Sequence, residues 1–194
     1  MYQLNSVGSR NLTNSGEIAL DFLVRECKQG NGAAQKKIFE MYAGNLYGSA
    51  YRITGNTMDA QDVIQESFVD AFEKIDSFRS DGTLGSWLKR IVINKSLNHI
   101  KKRKQVFEPV ETIEMVEQNL DDYEEPEYTI EMVKKAMEEL AEGYKVIFSL
   151  FAFEGYSHKQ IADELGIAES TSKSQYNRAK TRIKELVIKQ QQHG

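Results

Sequence analysis

Both prolines of this 194-residue chain, Pro109 and Pro126, fall within one stretch, VFEPVETIEMVEQNLDDYEEPEYTIE. A proline inside a helix removes a backbone hydrogen bond and clashes with the preceding turn, so long helices can form on either side of this stretch but not through it. Residues 105–133 also carry ten carboxylates and no lysine or arginine. Their mutual repulsion favours an extended tether over a packed element. The expected organisation is two folded units, 20–104 and 130–190, joined by an acidic linker at 105–129, with mobile tails at 1–19 and 191–194.

Apolar residues on both sides recur at helical spacing. Phe22, Leu23 and Cys27 suggest a first helix. Ile38, Tyr42, Leu46, Ala50 and Ile53 form the stripe of a second, which ends at Gly55. Capping side chains at 56–59 precede a third, with Ala60, Ile64, Phe68, Ala71 and Ile75 on one face and Gln61, Asp62, Gln65, Glu66, Asp70 and Glu73 on the other. After the loop DSFRSDGTLG comes a fourth helix, SWLKRIVINKSLNHIKKRK. Beyond the linker, Ile130, Val133, Met137 and Leu140 outline one helix. Val146, Ile147, Leu150 and Phe151 outline the next, which Gly155 closes. Nothing alternates long enough to make a sheet, so the fold class is all-α, two small helical domains on a flexible linker.

Several function classes fall away. There is no apolar run of membrane-spanning length, no signal-peptide layout, no phosphate loop, no dinucleotide fingerprint and no zinc-protease motif. One cysteine and three scattered histidines build neither a disulfide nor a Cys/His metal site. A soluble, cytoplasmic, non-enzymatic protein without cofactor or small-molecule substrate is expected.

The net charge of −4 conceals blocks. Residues 87–104 hold seven cations and no carboxylate, and residues 155–194 hold seven cations against four carboxylates. Because screening limits the reach of a charge to roughly 8 Å, a basic face responds to a neighbouring phosphate rather than to distant acids. The net acidity therefore resolves into two basic surfaces separated by an acidic one.

The second basic block has the grammar of a helix-turn-helix. Ser157-His158-Lys159-Gln160 fits a capping box, a two-turn helix runs to Leu165, and Gly166 supplies a left-handed turn. A longer helix starts near Glu169 with Ser172, Tyr176, Ala179, Ile183 and Leu186 inward. Lys173, Ser174, Asn177 and Arg178 then face outward, with Ser170, Thr171 and Gln175 beside them and Arg182 further along. Arginine pairs bidentately with guanine, asparagine and glutamine pair with adenine, and Lys173 serves a base or a phosphate. A helical hairpin with solvated charges has the same spacing.

On the fourth helix Trp87, Arg90, Asn94, Asn98 and Lys101 share a face, and Lys89, Lys95 and Lys102 complete the cationic block. An aromatic ring among amides and cations suits stacked, single-stranded bases. Taken alone, Trp87 reads more simply as core beside Leu88 and Ile91, whereas the whole block reads as nucleic-acid binding. The acidic face of the third helix is by itself either a solvated surface, the commoner case, or a docking face for a basic helix.

With both units in place, the chain resembles sigma-70-type RNA polymerase initiation factors of the extracytoplasmic-function (ECF) group. NTMDAQDVIQESFVDAFEKIDSF resembles conserved region 2.2, GSWLKRIVINKSLNHIKKRK regions 2.3 and 2.4, and LAEGYKVIFSLFAFEGYSHKQIADELGIAESTSKSQYNRAKTRIKEL region 4. The resemblance implies several roles. Asp62, Gln65 and Glu66, flanked by Asp59 and Asp70, would dock on the clamp helices of core RNA polymerase. Arg79, Ser80, Asp81 and Gly82 of the loop would receive a flipped base of the melted minus-10 strand together with the fourth-helix face. The helix from Glu169 would read the minus-35 duplex while the second unit sits on the polymerase flap. The linker would enter the RNA channel, and an anti-sigma factor, often membrane-anchored, is an expected partner. The chain departs from the usual family pattern at Leu84, Asn98, Lys101, Ala168 and Ser172, where Phe, Asp, Arg, Ser and Val are common. The competing reading is a stand-alone helix-turn-helix regulator whose N-terminal bundle senses a ligand or dimerises.

Overall fold

A computed structural model describes residues 8–79, 82–102 and 129–192. Residues 1–7, 80, 81, 103–128, 193 and 194 lie outside the described residues, and with them all of the predicted linker except Thr129. Eight α-helices and one 3-10 turn account for the regular structure among them, and no strand is present. The first unit comprises α1 (Gly8–Lys28), α2 (Gly32–Thr54), α3 (Thr57–Glu73), the turn Ile75–Ser77 and α4 (Leu84–Lys102). The second comprises α5 (Ile130–Glu138), α6 (Glu142–Ala152), α7 (His158–Leu165) and α8 (Glu169–Gln192).

Local chemistry sets the boundaries. Asn31 and Asn56 have extended backbones, and their side chains accept hydrogen bonds from the first free N–H groups of α2 and α3. Gly55, at φ 68°, takes the left-handed conformation that lets α2 stop and α3 start within two residues. The stripe predicted for α2 is inward, with Ile38, Leu46, Ala50 and Ile53 buried and Tyr42 half-buried. The α3 face is inward as well, from Ala60 to Ala71, with Ile75 in the following turn.

Four details differ from the sequence reading. The stretch assigned to an N-terminal tail is helical from Gly8, because once Val24 and Cys27 anchor a helix, adding turns to it costs little. Phe22 lies outside the core at 58% exposure and Val24 is the buried residue in its place. Ile130 is likewise 72% exposed, and Ala136 joins Met137 and Leu140 in the α5 seam against Ala179, Ile183, Leu186 and Val187 of α8. Ile130 is the first residue of α5, and Phe22 stands two residues before Val24, roughly opposite it around α1. Gly155 keeps the positive φ expected of it, 75°, but α6 already ends at Ala152, two residues sooner than a closing glycine would put it.

The two units touch. Ile53 of α2 and Ile93, Leu97 and Ile100 of α4 share one buried cluster with Val146, Ile147 and Leu150 of α6 and Ile161 and Leu165 of α7.

Candidate nucleic-acid interface

The loop before α4 is anchored from below. Phe78 is buried and its ring lies 5.5 Å from that of Trp87, while Lys28 of α1 donates to the Phe78 carbonyl at 3.4 Å. Thr83 opens α4: its hydroxyl accepts from the Ser86 N–H at 3.1 Å, and its carbonyl accepts from the Ser86 hydroxyl at 2.8 Å. At Gly85 an added Cβ would stand 3.0 Å from the Tyr42 ring, so a glycine lets the start of α4 lie directly on α2. Leu84 is 2% exposed, which makes this departure from the family pattern a core substitution and not a change of the DNA face.

The predicted α4 face divides into three. Trp87 is half-buried against the first-unit core, in keeping with the simpler reading of that residue. Arg90, Asn98, Lys101 and Lys102 are exposed, as are Arg79 and Gly82 of the loop, and Asn94 is half-buried. Ser80 and Asp81 lie outside the described residues. Two lysines are turned to carboxylates: Lys95 reaches Asp70 at 2.8 Å and Glu66 at 3.4 Å, and Lys89 reaches Glu154 of the second unit at 2.7 Å. The hydrogen bond that Lys95 donates to Asp70, helped by Glu66 against a smaller effect of burial, raises the Lys95 ammonium above its ordinary range.

Of the residues assigned to polymerase docking, Asp62, Gln65 and Glu66 are exposed on α3. Asp59 and Asp70 sit at the edges of that face. Asp59 is 3.3 Å from His99 with its side chain 17% exposed, and Asp70 is the partner of Lys95. The α3 acids and the α4 cations, read separately along the chain, therefore meet along the α3–α4 seam.

In the second unit the capping box is formed: the Ser157 hydroxyl accepts from the Gln160 N–H at 3.2 Å and the Gln160 side chain accepts from the Ser157 N–H at 2.9 Å. Gly166 has φ 70° and turns the chain into α8. Ser170, Lys173, Ser174, Asn177 and Arg182 are exposed, and Thr171, Gln175 and Arg178 are half-exposed beside them. Two cations are held within the helix, Lys173 by Glu169 at 2.7 Å and Arg182 by Glu185 at 2.8 Å. Ser174 donates to the Thr171 carbonyl at 3.0 Å.

The sequence reading missed how α7 and α8 are joined. Ser172 is fully buried, and its hydroxyl shares a 3.0 Å hydrogen bond with Nδ1 of His158. The His158 ring stacks on Phe151 at 4.3 Å and meets Tyr176 edge-on. Burial, followed by the positive charge of Lys173 and only partly countered by Glu169, holds the imidazole below its ordinary value. Below about pH 6.5 an unfolded histidine gains its proton before this one does, so the second unit should lose stability as pH falls from 7 to 5. Melting curves across that range should show the loss, and His158→Gln should flatten it. Ser172→Ala, which removes the partner of a partly buried ring nitrogen, should cost about 0.5–1.5 kcal/mol in chemical denaturation.

A helix-turn-helix unit packed beside a helical bundle with a cationic helix and an acidic one defines a two-part, DNA-handling protein. Residues 38–106 match the family model for sigma-70 region 2, and residues 130–183 match that for sigma-70 region 4. The chain is 30% identical over 158 residues to the ECF RNA polymerase sigma factor SigM of Mycobacterium tuberculosis, covering 81% of this chain and 79% of SigM. It is 33% identical over 88 residues to the ECF RNA polymerase sigma factor SigW of Bacillus subtilis, an alignment that spans about half of SigW, 47%. Among solved structures, the sigma factor RpoE in complex with the anti-sigma factor NepR from Bartonella quintana shares the fold. Its TM-score is 0.50 at 24% identity over 79% of this chain and 96% of that one. The chain belongs to the sigma-70 family of RNA polymerase sigma factors, in the ECF group. Among the described residues no helix is long and apolar enough to cross a membrane, and no group of three or more potential ligands could hold a metal ion.

Proposed function

We propose that this protein binds core RNA polymerase in the cytoplasm and directs it to promoters, without a catalytic step of its own, by reading a minus-35 duplex with α8 and a melted minus-10 strand with the loop–α4 face. The observation that carries this reading is the pairing of the two family matches with two separate surfaces of the right chemistry. One is a helix-turn-helix with Asn177 and Arg178 outward; the other is a cationic helix with Arg90, Asn98 and Lys101 outward. The exposed acids Asp62 and Glu66 with Gln65 form the face that would dock on basic polymerase helices. An anti-sigma factor is a further proposed partner. A largely apolar groove of about 610 Å³ between α2 and α5–α6, bordered by Tyr51, Ile130, Val133 and Phe153, has the dimensions and character to take part of one.

The deciding experiment is capture of the protein on core polymerase followed by sequencing of transcripts initiated in vitro with and without it. New, discrete start sites sharing two upstream elements are expected. Tight binding to a specific duplex without affinity for core would support the stand-alone regulator instead. Asn94→Ala and Trp87→Ala should leave core binding intact and lower the yield of open complex, measured by permanganate reactivity of unpaired thymines. Unstacking a base costs a few kcal/mol, which the loop–α4 face must offset. Normal open-complex yield in both variants would remove that assignment.

A further inference from the structure

Aromatic rings seat α8 on α6 and α7. Tyr176 of α8 stacks on Phe148 at 5.6 Å and packs against Phe151 at 4.5 Å, and His158, the first residue of α7, closes the group. Its ring lies 4.3 Å from that of Phe151, with 15° between their planes, and 5.6 Å from Tyr176 edge-on. Across this seam Nδ1 of His158 meets the hydroxyl of Ser172, which is 0% exposed. Ser172 is one of the departures from the family pattern, where valine is common. A valine needs no partner at that place, whereas a buried hydroxyl ties the seam to whatever stands opposite it. Ser170, Ser174 and Asn177, exposed on the same two turns, lie about 140–160° around the helix from Ser172. A shift of α8 at Ser172 is therefore carried to the residues that face a duplex.

We propose that His158 is a positioning residue for α8: its uncharged ring, accepting the Ser172 hydroxyl proton at Nδ1, holds α8 at the angle that reads a duplex, and protonation of the ring releases that hold. The proposal rests on the reading of α8 as the minus-35 reader. With the ring proton on Nε2, Nδ1 is an acceptor and Ser172 the donor. A second proton makes Nδ1 a donor as well, so the hydroxyl must reverse and its own hydrogen loses its acceptor inside a buried seam. The new charge also acts on its neighbours. From α8, Lys173 repels it and Glu169 attracts it, while the titratable Tyr176 faces it edge-on; α6 presents the Phe151 ring, and Lys159 adjoins it in α7. An imidazolium that draws on Glu169 competes with Lys173, which holds that carboxylate at 2.7 Å. Burial and Lys173 favour the neutral ring, so the hold is complete at neutral pH and is lost as pH falls below the ordinary histidine range.

The test uses the full chain on core polymerase and a pool of duplexes randomised over a short stretch, with the bound fraction sequenced at about pH 7.5 and about pH 5.5. The readout is the enrichment of the recovered motif over unrelated sequence, which a change in overall affinity does not move. In the parent it is expected to fall by about threefold at the lower pH, as a partial shift between two states gives. In His158→Gln it is expected to be the same at both pH values. Ser172→Val keeps the titrating ring but cuts the link to α8. Proton NMR of the free full chain should still show the His158 Cε1–H signal titrating in that variant, with the enrichment no longer following it. Equal enrichment at both pH values in the parent, or a fall that persists in His158→Gln or in Ser172→Val, would overturn the proposal. So would a fall that tracks a loss of helicity in circular dichroism, which would make His158 a residue of stability alone. Failure of the minus-35 reading shows separately, as the absence of any enriched motif at either pH.

Discussion

Replacing Arg178 by alanine should weaken binding of the polymerase complex to a promoter duplex by about 1–3 kcal/mol and relax its preference at one base pair of the minus-35 element. Arg178 is half-exposed on α8 between the half-buried Tyr176, the buried Ala179 and the outermost Asn177, where a guanidinium can reach a base edge while its stem rests on the helix. Lys173→Ala should behave differently. Its ammonium is already 2.7 Å from Glu169, so a phosphate contact would replace an existing partner, and the loss should be smaller and alike across sequences. The salt slope of binding should fall by about one unit in Lys173→Ala. Fluorescence anisotropy on duplexes carrying single base-pair changes, at two salt concentrations, separates the two roles. Equal losses on every duplex for Arg178→Ala would make it a phosphate contact.

The second large effect is expected inside α3. Phe68 is 3% exposed and touches Phe39 edge-on at 4.8 Å and Phe72 at 5.9 Å. Phe68→Ala removes that ring and leaves a cavity, at a cost of about 3–5 kcal/mol. For a unit of this size that is on the order of 10 °C or more in Tm. Polymerase binding should fall with it, because Asp62, Gln65 and Glu66 are carried on the opposite side of the same helix. Glu66→Ala combined with Asp62→Ala should reduce polymerase binding with little change in Tm, since both carboxylates are exposed and the Glu66 contact to Lys95 is a long one at 3.4 Å. Thermal melts beside core-polymerase capture distinguish loss of the surface from loss of the helix that carries it. A melt of Phe68→Ala that matches the parent would contradict the packing described for α3.

The fall in pH that charges His158 acts on the same unit that holds Glu154. Burial drives the Glu154 carboxyl upward, but the hydrogen bonds and charges of Lys89 and Arg52 outweigh it and leave the group below the ordinary carboxylate range. A depressed carboxyl contributes stability above its unfolded value and loses it as pH falls through the folded one. The Glu154 loss therefore begins only below the unfolded carboxylate value of about 4.3, whereas the His158 loss begins below about 6.5.

Much of this was legible from residue type and spacing alone. Asn56, Ser157, Gly55 and Gly166 act within a turn of where they stand, through their own side chains or their own φ, so their effects can be read locally. The α2, α3 and α8 stripes were equally readable, because a helix that buries one side repeats its apolar residues at 3.6. The two prolines and ten carboxylates marked the boundary between units for the same kind of reason. What spacing could not supply was the partner across space. Periodicity assigns Lys89 and Lys95 to one cationic block, whereas Glu154, 65 residues further on, takes one and Asp70 takes the other. Ser172 was recognisable as a buried hydroxyl, but its bond to His158 depends on the angle at which α7 meets α8. Ile53 looked like core of its own helix bundle and is core of the contact between units. A sequence determines which faces are apolar, charged or capped because those properties belong to single residues and their near neighbours. Which charged face meets which is decided only when the helices pack, because burial sets the cost of leaving a charge without its partner.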